Sequence, residues 1–507
     1  MNIKQAKEQI KNAMTAYFSK DDMGEYMMPA HKQRPVFLMG PPGIGKTAIM
    51  EQVAAEMGVG LLSYSMTHHT RQSALGLPFI VHKEYEGMEY DISEYTMSEI
   101  IASVYDLMEK TGLKEGILFL DEINCVSETL APVMLQFLQY KVFGRHRVPD
   151  GWIIVTAGNP PEYNDSVREF DIVTWDRLKR IDIEPDFDAW KEYALKVNVH
   201  PAVVSFLECK KQYFYRIQAS ADGKRFVTAR GWEDLSQMIR LYEKNEIMAD
   251  NLLIGQYLQD PEIAREFAQY YDLFNKYRSN YQFAEILEGK EEKKIRDRAK
   301  KAKFDERLSL IALLLDRVTF ETGEAMERTN ALAALMDALK TYRSMLIKPG
   351  VQPRQAMEQL IAEKIKEHDA KKAAGFASTR ETRVLKRLIR SMECELALIK
   401  DTPNAKSAFM AVKQNFDAMV QEEKKNSDTV AGHLQNLYAF AENVWGDSQE
   451  MLIITTELTL RGDCAAFIMK YGCDAYYRYN RDLILNERHT EIIEEIEALD
   501  LDALDSE

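Results

Sequence analysis

The sequence has 507 residues, too many for one hydrophobic core, and its length predicts about three or four domains. Hydrophobic residues make up 46% and charged residues 29% of the chain, which excludes an intrinsically disordered protein. The net charge of −15 argues against a general affinity for nucleic acid or anionic membranes. Because no apolar run approaches the roughly 18 residues of a membrane span, we expect a soluble protein. Its five scattered cysteines form no CxxC pair, which is typical of reduced thiols and predicts a cytoplasmic location.

Short apolar runs alternate with helical patterns between about residues 35 and 185. This alternation predicts a parallel β-sheet that is covered by helices on both faces. The predicted strands are Val36–Met39, Leu61–Ser65, Ile117–Leu120, Trp152–Thr156 and Ile181–Ile183. From about Phe187 onward the pattern is almost wholly helical, with one short hairpin predicted at Tyr213–Val227.

The C-terminal half repeats apolar residues with the period of an α-helix. One predicted helical face carries Phe304, Leu308, Ile311, Leu315 and Val318, and a second carries Leu434, Leu437, Ala441 and Val444. Charge-rich or small-residue stretches predict breaks at Lys290–Lys303, Lys364–Ser378 and Gln421–Asp428. The acidic segment Glu491–Glu507 is predicted to be a helix that frays into a solvated tail.

A glycine-rich motif of the form GxxxxGK[ST] follows the first predicted strand and opens a predicted helix at Ala48–Met57. Such a loop binds phosphate through its backbone amides and the helix N-terminus. We expect Lys46 to bridge the β- and γ-phosphates of ATP, and the Thr47 hydroxyl to bind Mg²⁺. The predicted nucleotide-binding residues are Gly40, Pro41, Pro42, Gly43, Ile44, Gly45, Lys46, Thr47 and Ala48.

Polar residues follow two further predicted strands. Asp121 and Glu122 come directly after the apolar run Ile117–Leu120, at the strand end where parallel sheets bind ligands. Asp121 is predicted to hold Mg²⁺, usually through water, and Glu122 to polarise the attacking water. Asn159 follows the next strand and is predicted to contact both the γ-phosphate and that water. Alone, its Gly-Asn-Pro setting is more typical of a turn; its place on the strand after Asp121 and Glu122 favours the site.

This order of motifs resembles the AAA+ ATPases, and its details resemble their MoxR group, over about residues 30–242. Asn159 and the prolines after it are similar to the sensor-1 element of that family. The long interval between Lys46 and Asp121 matches the family's helix-2 insertion, a hairpin expected at about Phe79–Tyr95, and a second hairpin is expected at Lys141–Pro149. The resemblance implies that Tyr85, Tyr90 and Tyr95 grip a client in a ring pore, although strand tyrosines are as often packing residues.

The same resemblance implies roles for two arginines. Arg177 occupies the position of the arginine finger that acts on the neighbouring subunit, with Arg180 as second choice, and Leu178 replaces the family's Phe. Arg230 matches the sensor-2 arginine of the helical lid, although Ala229 replaces the family's preceding Pro. A trans-acting arginine implies a composite site between subunits, and therefore a homo-oligomeric ring, a hexamer by resemblance.

The predicted catalytic set is thus Lys46, Glu122, Asn159, Arg177 and Arg230. We expect an N-terminal helical segment (1–30), an α/β AAA+ core (31–186), an all-α lid with a hairpin (187–250) and a large all-α C-terminal region (251–507) that docks a partner or client. The resemblance implies an ATPase that remodels proteins, with a protein client and a von Willebrand factor A domain partner. A McrB-like nucleic-acid motor and a nucleotide-gated assembly scaffold are the alternatives.

Overall fold

A computed structural model of the protein describes residues 1–163, 166–220, 223–348, 350–373, 379–399 and 404–481. Its strands fall in the first half of the chain, and most of its helical residues in the second. The strands are β1 (Val36–Met39), β2 (Gly60–Ser65), β3 (Pro78–Tyr85), β4 (Met88–Tyr95), β5 (Gly116–Asp121), β6 (Val142–Phe143), β7 (His146–Arg147), β8 (Trp152–Gly158), β9 (Lys179–Asp182), β10 (Arg216–Ser220) and β11 (Gly223–Val227).

Five of these strands form a parallel sheet in the order β2-β5-β8-β1-β9. The predicted parallel sheet is therefore confirmed, and each predicted strand overlaps one of its members. The fifth strand is displaced, because β9 begins at Lys179 and Ile183 lies just beyond its end. Ile181 and Ile183 are both buried, so the apolar pattern marked packing positions rather than the limits of backbone pairing.

Helices cover both faces of this sheet. Alternate residues of β5 enter different cores: Ile117 and Phe119 pack in one, and Leu118 and Leu120 in the other. The helices of this part are α1 (Ile3–Tyr17), α2 (Lys46–Met57), α3 (Arg71–Leu75), α4 (Glu99–Thr111), α5 (Ala131–Tyr140) and α6 (Ile172–Trp175). Helix α1 contributes Ile10 and Met14 to the same core as α2, so the N-terminal helix is packed onto the sheet.

The described residues also form three antiparallel hairpins, β3–β4, β6–β7 and β10–β11. Strands β3 and β4 cover the predicted insertion, and β6 and β7 lie inside the second predicted hairpin. These two hairpins are joined, because Arg145 forms an ion pair with Glu94 and the ring of His146 bonds the carbonyl of Tyr95 at 3.1 Å. The third hairpin occupies the predicted place, and Ala221 and Asp222 of its predicted turn lie outside the described residues.

A helical unit follows β9 and packs against the part of the chain that contains the parallel sheet. It contains α7 (Phe187–Lys196), α8 (Pro201–Cys209) and α9 (Ala229–Lys244), which share a core rich in aromatic residues. That core does not end at residue 250, since Phe267, Phe274 and Leu313 belong to it. The lid is therefore continuous in packing with helices that follow it.

The remaining helices form the predicted all-α C-terminal region. They are α10 (Asn251–Tyr257), α11 (Pro261–Asn280), α12 (Phe283–Leu287), α13 (Lys293–Lys301), α14 (Phe304–Leu346), α15 (Pro353–Ala373), α16 (Thr379–Leu398), α17 (Ala405–Trp445), α18 (Gln449–Leu460) and α19 (Gly462–Tyr471). No helix among the described residues is long and apolar enough to cross a membrane.

Several sequence predictions for this region need correction. The predicted break at Gln421–Asp428 is wrong, because α17 runs through it, and α13 lies inside the predicted break at Lys290–Lys303. Lysine, glutamate and glutamine are good helix formers on a solvent-facing side, so charge density alone does not end a helix. Phe304 is 48% exposed, unlike the other predicted face residues, because it is the first residue of α14. The predicted break at Lys364–Ser378 is wrong as far as Ala373, because α15 includes that part. Residues 374–378 and the acidic segment 491–507 lie outside the described residues.

Candidate functional site

The glycine-rich loop lies between β1 and α2, at the carboxyl end of the parallel sheet. Gly43 and Gly45 have φ values of 73° and 95°, a left-handed conformation that residues with a side chain adopt rarely. These two glycines let the chain curl so that α2 begins at Lys46. The N-terminus of α2 therefore opens directly onto the loop, which favours a bound anion.

Lys46 is buried, and its ammonium group donates three hydrogen bonds. Its Nζ atom donates to the carbonyls of Gly40 at 2.7 Å and Pro41 at 2.9 Å, and to Oδ1 of Asn159 at 2.8 Å. Burial lowers the pKa of Lys46 to about 8; the nearby charge of Asp121 raises it, and that of Arg230 lowers it. The structure thus brings the predicted lysine and the predicted polar amide into direct contact.

Thr47 and Asp121 form the second contact of the site. The Thr47 hydroxyl donates to Oδ2 of Asp121 at 3.1 Å, across the gap between α2 and the end of β5. A hydroxyl and a carboxylate oxygen side by side are the donor type that Mg²⁺ prefers when phosphate oxygens and water complete its coordination. These two residues are therefore able to hold a hard divalent cation.

Glu122 has a backbone conformation that is rare for a residue with a side chain. Its φ is 55°, and its N–H donates to Oδ1 of Asp121 at 2.9 Å. The hydroxyls of Ser65 and Thr67 donate to its Oε2 atom, each at 3.3 Å. Because of this left-handed conformation, the chain turns at Glu122 and leaves the direction of β5. The two hydroxyl contacts hold the Glu122 carboxylate beside the end of β2.

Asn159 is held by a residue that the sequence did not reveal. The side-chain amide of Asn124 donates to the carbonyl of Asn159 at 2.8 Å, and Asn124 is buried. A Cβ atom on Gly158 would come within 2.5 Å of Asn124 Oδ1, so the glycine leaves space for this contact. Nothing in the local pattern around Asn124 identifies it, because its role depends on the pairing of β5 with β8.

The lid contacts the phosphate loop directly. The N–H of Arg230 donates to the carbonyl of Gly43 at 3.1 Å, and Thr228 caps α9 immediately before it. A Cβ atom on Gly43 would lie 2.9 Å from Thr228, so the lid and the loop are in tight contact. Arg230 itself is exposed and lines the same cavity as Gly43 and Gly45. The structure therefore places Arg230 at the phosphate loop.

The two arginine-finger candidates have different surroundings. Arg180 forms an ion pair with Asp182 at 2.8 Å and lies over the ring of Trp175, with 4.8 Å to the ring centroid. Arg177 is exposed and forms no ion pair with any of the described residues, although its charge contributes, after hydrogen bonds from Thr174, to the lowered pKa of Asp171. Neither arginine lines the cavity next to the phosphate loop.

A cavity of about 700 Å³ extends from the phosphate loop between α1, α2, α7 and α9. Its lining includes Ile44, Thr47, Tyr193 and Arg230, whereas Asp121, Glu122 and Asn159 lie outside it. The volume is in the range of small-molecule sites. The glycine-rich loop therefore has the cavity on one side. The carboxylates of Asp121 and Glu122 and the amide of Asn159 lie on its other side.

Comparison with known proteins agrees with this geometry. Residues 36–172 match the model of the "ATPase family associated with various cellular activities (AAA)". This part of the chain is therefore similar in sequence to the ATPase domains of that family. The match begins at β1 and ends at the start of α6, so it covers the glycine-rich loop, both carboxylates and Asn159.

A search of solved structures also gave matches. An ATPase candidate from Cytophaga hutchinsonii is 15% identical, with a TM-score of 0.26 over 38% of this chain. A Lys-to-Arg variant of Thermotoga maritima RuvB is 14% identical, with a TM-score of 0.28 over 53% of this chain and 69% of its own. The chain spans about half, 51%, of the Cytophaga protein. No curated protein matched the sequence.

Proposed function

We propose that the protein is an ATP-hydrolysing ring motor that remodels or assembles other proteins, in the manner of the MoxR group. The observation that carries the proposal is the pair of contacts that joins Thr47 to Asp121 and Lys46 to Asn159. These four side chains come from α2, β5 and the end of β8, and they surround the loop that the helix N-terminus favours for phosphate.

In this proposal the chain's residues divide the work of ATP hydrolysis. Thr47 and Asp121 would hold Mg²⁺, and the bound ion would neutralise negative charge on the phosphates. Lys46 and Arg230 contact the phosphate oxygens, and Asn159 orients the γ-phosphate and the water. The Glu122 carboxylate accepts a proton of that water as its oxygen attacks phosphorus; the bond to the leaving oxygen of ADP then breaks.

Arg177 completes this site from a neighbouring copy of the chain. Its exposed side chain, without an ion-pair partner among the described residues, is available to a second subunit, whereas Arg180 is engaged with Asp182 and Trp175. A finger supplied in trans requires a repeating head-to-tail contact between copies, which forms a ring when the rotation between copies closes. We propose a homo-oligomeric ring on this basis, and a hexamer by the resemblance to the AAA+ ATPases.

The surface of the β3–β4 hairpin favours a protein client over nucleic acid. Tyr85, Met88 and Tyr90 are exposed near the hairpin tip, and the rings of Tyr85 and Tyr90 lie 6.2 Å apart. The hairpin also carries the acidic residues Glu84, Glu86, Glu89, Asp91 and Glu94. Because carboxylates repel a phosphate backbone, this hairpin is a poor contact for nucleic acid in a pore. Exposed aromatics beside acids suit an unfolded polypeptide segment.

The C-terminal helices are well placed to receive the motion of the lid. Arg240 of α9 forms an ion pair of 2.9 Å with Asp316 of α14, and Tyr270 of α11 bonds the hydroxyls of Ser205 and Ser309. We propose that this region docks the client or a partner, including one with a von Willebrand factor A domain. A lid that moves with nucleotide state would then carry the docking region with it.

The proposal is tested by the ATPase rate per subunit as a function of protein concentration. The expected result is a rate that rises with concentration, and that Glu122→Gln and Arg177→Ala both abolish while ADP still binds. Arg180→Ala is the matched control at the same surface and is expected to retain hydrolysis. A rate independent of concentration and of Arg177 would contradict the composite site. Salt-sensitive stimulation by DNA or RNA would instead support the McrB-like alternative, and absent hydrolysis with intact binding would support the scaffold.

A further inference from the structure

Four successive carbonyl groups of the phosphate loop accept hydrogen bonds from two different sources. The carbonyls of Gly40 and Pro41 accept from Nζ of Lys46 within the loop. The carbonyl of Pro42 accepts from the phenol of Tyr215 at 2.8 Å, and that of Gly43 from the N–H of Arg230 at 3.1 Å. The first two peptide groups are thus held by the loop lysine, and the next two by the lid.

The carbonyls that Lys46 bonds and those that the lid bonds differ in whether their peptide groups contain an N–H. Proline has no N–H, so the peptide groups that begin at Gly40 and Pro41 have no donor for a phosphate oxygen. The first donors of the loop after Gly40 are the N–H groups of Gly43 and Ile44. These belong to the two peptide groups whose carbonyls the lid holds.

Holding a carbonyl also fixes the direction of its partner N–H. In a planar trans peptide the C=O and N–H bonds point in opposite directions, and the structure describes no cis peptide bond. A hydrogen bond from Tyr215 to the Pro42 carbonyl therefore directs the Gly43 N–H away from Tyr215. The Arg230 N–H does the same for the Ile44 N–H through the Gly43 carbonyl.

Tyr215 is firmly placed for this role. It stands one residue before β10 and is half-buried, and its ring packs against both the lid core and the core around α1 and α2. Burial raises the pKa of its phenol above the ordinary value of 10, so the hydroxyl keeps its proton and donates. Thr228 also lies close to Gly43, because a Cβ atom there would come within 2.9 Å of it.

We infer that Tyr215 is a positioning residue for nucleotide binding: its phenol holds the Pro42–Gly43 peptide group so that the Gly43 N–H is pre-oriented for a phosphate oxygen. The inference rests on the proposed nucleotide binding and adds to it. Pre-orientation raises affinity, because the loop does not have to be ordered when the nucleotide arrives.

The test is Tyr215→Phe, which removes only the hydroxyl and keeps the ring in both cores. The affinity for ADP with Mg²⁺, measured by titration of a fluorescent ADP analogue, is expected to fall about three- to tenfold, the effect of one lost hydrogen bond. The KM for ATP is expected to rise by the same factor with kcat unchanged at saturation. The matched control is Tyr213→Phe, since Tyr213 bonds Glu266 inside the helical region at 3.2 Å and does not contact the loop.

Thermal unfolding of the nucleotide-free variants separates positioning from a structural role. A Tyr215→Phe protein that unfolds at a lower temperature but binds ADP like the wild type would overturn the inference. Lys46→Ala distinguishes this failure from that of the proposed function. Lost binding in Lys46→Ala with unchanged binding in Tyr215→Phe would leave the nucleotide site intact and refute the role of Tyr215. A wild-type protein that binds no nucleotide would refute both.

Discussion

Lys46 and Asn159 are 113 positions apart in the chain, and Nζ of the lysine donates to Oδ1 of the asparagine at 2.8 Å. The contact exists because β8 lies beside β1 in the sheet, so the residue after β8 meets the loop after β1. The same lysine is beyond hydrogen-bonding reach of both carboxylates, whose charges nonetheless act on its pKa. Asn159 is therefore the polar side chain most directly coupled to the phosphate-loop lysine.

Asn159→Ala is expected to reduce the ATPase rate far more than nucleotide affinity. The variant removes the amide proposed to orient the γ-phosphate and water, a loss worth about 10²–10³ in kcat for a single pre-organised group. Lys46 keeps its two carbonyl partners, so ADP affinity is expected to change little. The measurement is kcat at saturating ATP beside the dissociation constant of ADP. A variant with full kcat would contradict a role for Asn159 in hydrolysis.

Nucleotide affinity is expected to fall as pH rises above 8. Burial lowers the pKa of Lys46 to about 8 from its ordinary 10.5, so above pH 8 the nucleotide-free protein carries a neutral lysine. Bound phosphate favours the charged lysine, so binding then takes up a proton, and affinity falls by up to about tenfold per pH unit. Below pH 8 this group gives no pH dependence. An ADP affinity that is constant from pH 7 to 10 would contradict the assignment.

The stability of the nucleotide-free protein should follow the opposite trend in the same window. Because the folded pKa of Lys46 lies below its unfolded value, its burial penalty is present in full below pH 8 and is relieved as pH rises toward 10.5. Lys141 shares this behaviour, since burial also lowers its pKa to about 8. Stability alone therefore does not separate the two lysines, whereas ADP affinity reports on Lys46, which lies in the phosphate loop.

Local patterns were enough to predict the parallel sheet and the position of the glycine-rich loop between β1 and α2. The strand Val36–Met39 was predicted with its observed limits, because apolar residues and the glycine loop define both ends. The contacts of Asn124 and Tyr215 were not predictable, since each joins residues that only the strand order or the lid position brings together. Lys141 is a third example: it is buried with a φ of 55° and donates to Gln33 and to the Trp152 carbonyl, although a lysine in a charged turn is typical of a surface.

Mixing two inactive variants is expected to restore hydrolysis if Arg177 acts on a neighbouring subunit. Arg177→Ala alone should lower kcat about 10³-fold or more, the size of an arginine-finger effect. In a mixture with Glu122→Gln, some interfaces join an intact Glu122 to an intact Arg177. Random assembly of equal amounts makes such interfaces about a quarter of the total, so about a quarter of the wild-type rate is expected. A mixture that stays inactive would contradict action in trans.

Arg180→Ala is the control for that experiment. Its ion pair with Asp182 and its position over Trp175 predict a structural contribution of roughly 0.5–1 kcal/mol, because both groups are at the surface. We expect a small decrease in thermal stability and a nearly normal ATPase rate. Loss of hydrolysis in Arg180→Ala, with normal hydrolysis in Arg177→Ala, would show that Arg180 is the arginine finger and that Arg177 is not.

Leu313 and Leu315 of α14 belong to different cores and should therefore report on different parts of the protein. Leu313 packs with the lid residues around Phe206, whereas Leu315 packs with α17 and α18 around Leu437. Replacement of either buried leucine by alanine is expected to cost about 2–5 kcal/mol. Leu313→Ala should increase amide hydrogen exchange in α8 and α11, and Leu315→Ala in α17 and α18.

Hydrogen exchange in the Leu313→Ala and Leu315→Ala variants also tests whether the lid moves with the C-terminal helices. If α14 is one rigid element shared by both cores, ADP binding should slow exchange on both sides of α14 in the wild type. Leu313→Ala should break that link, so that protection by ADP remains in α9 and disappears from α17. Leu315→Ala is the matched control on the same helix and should leave protection of α8 intact. Equal protection of α17 in the wild type and in Leu313→Ala would show that the lid core does not transmit the effect of nucleotide.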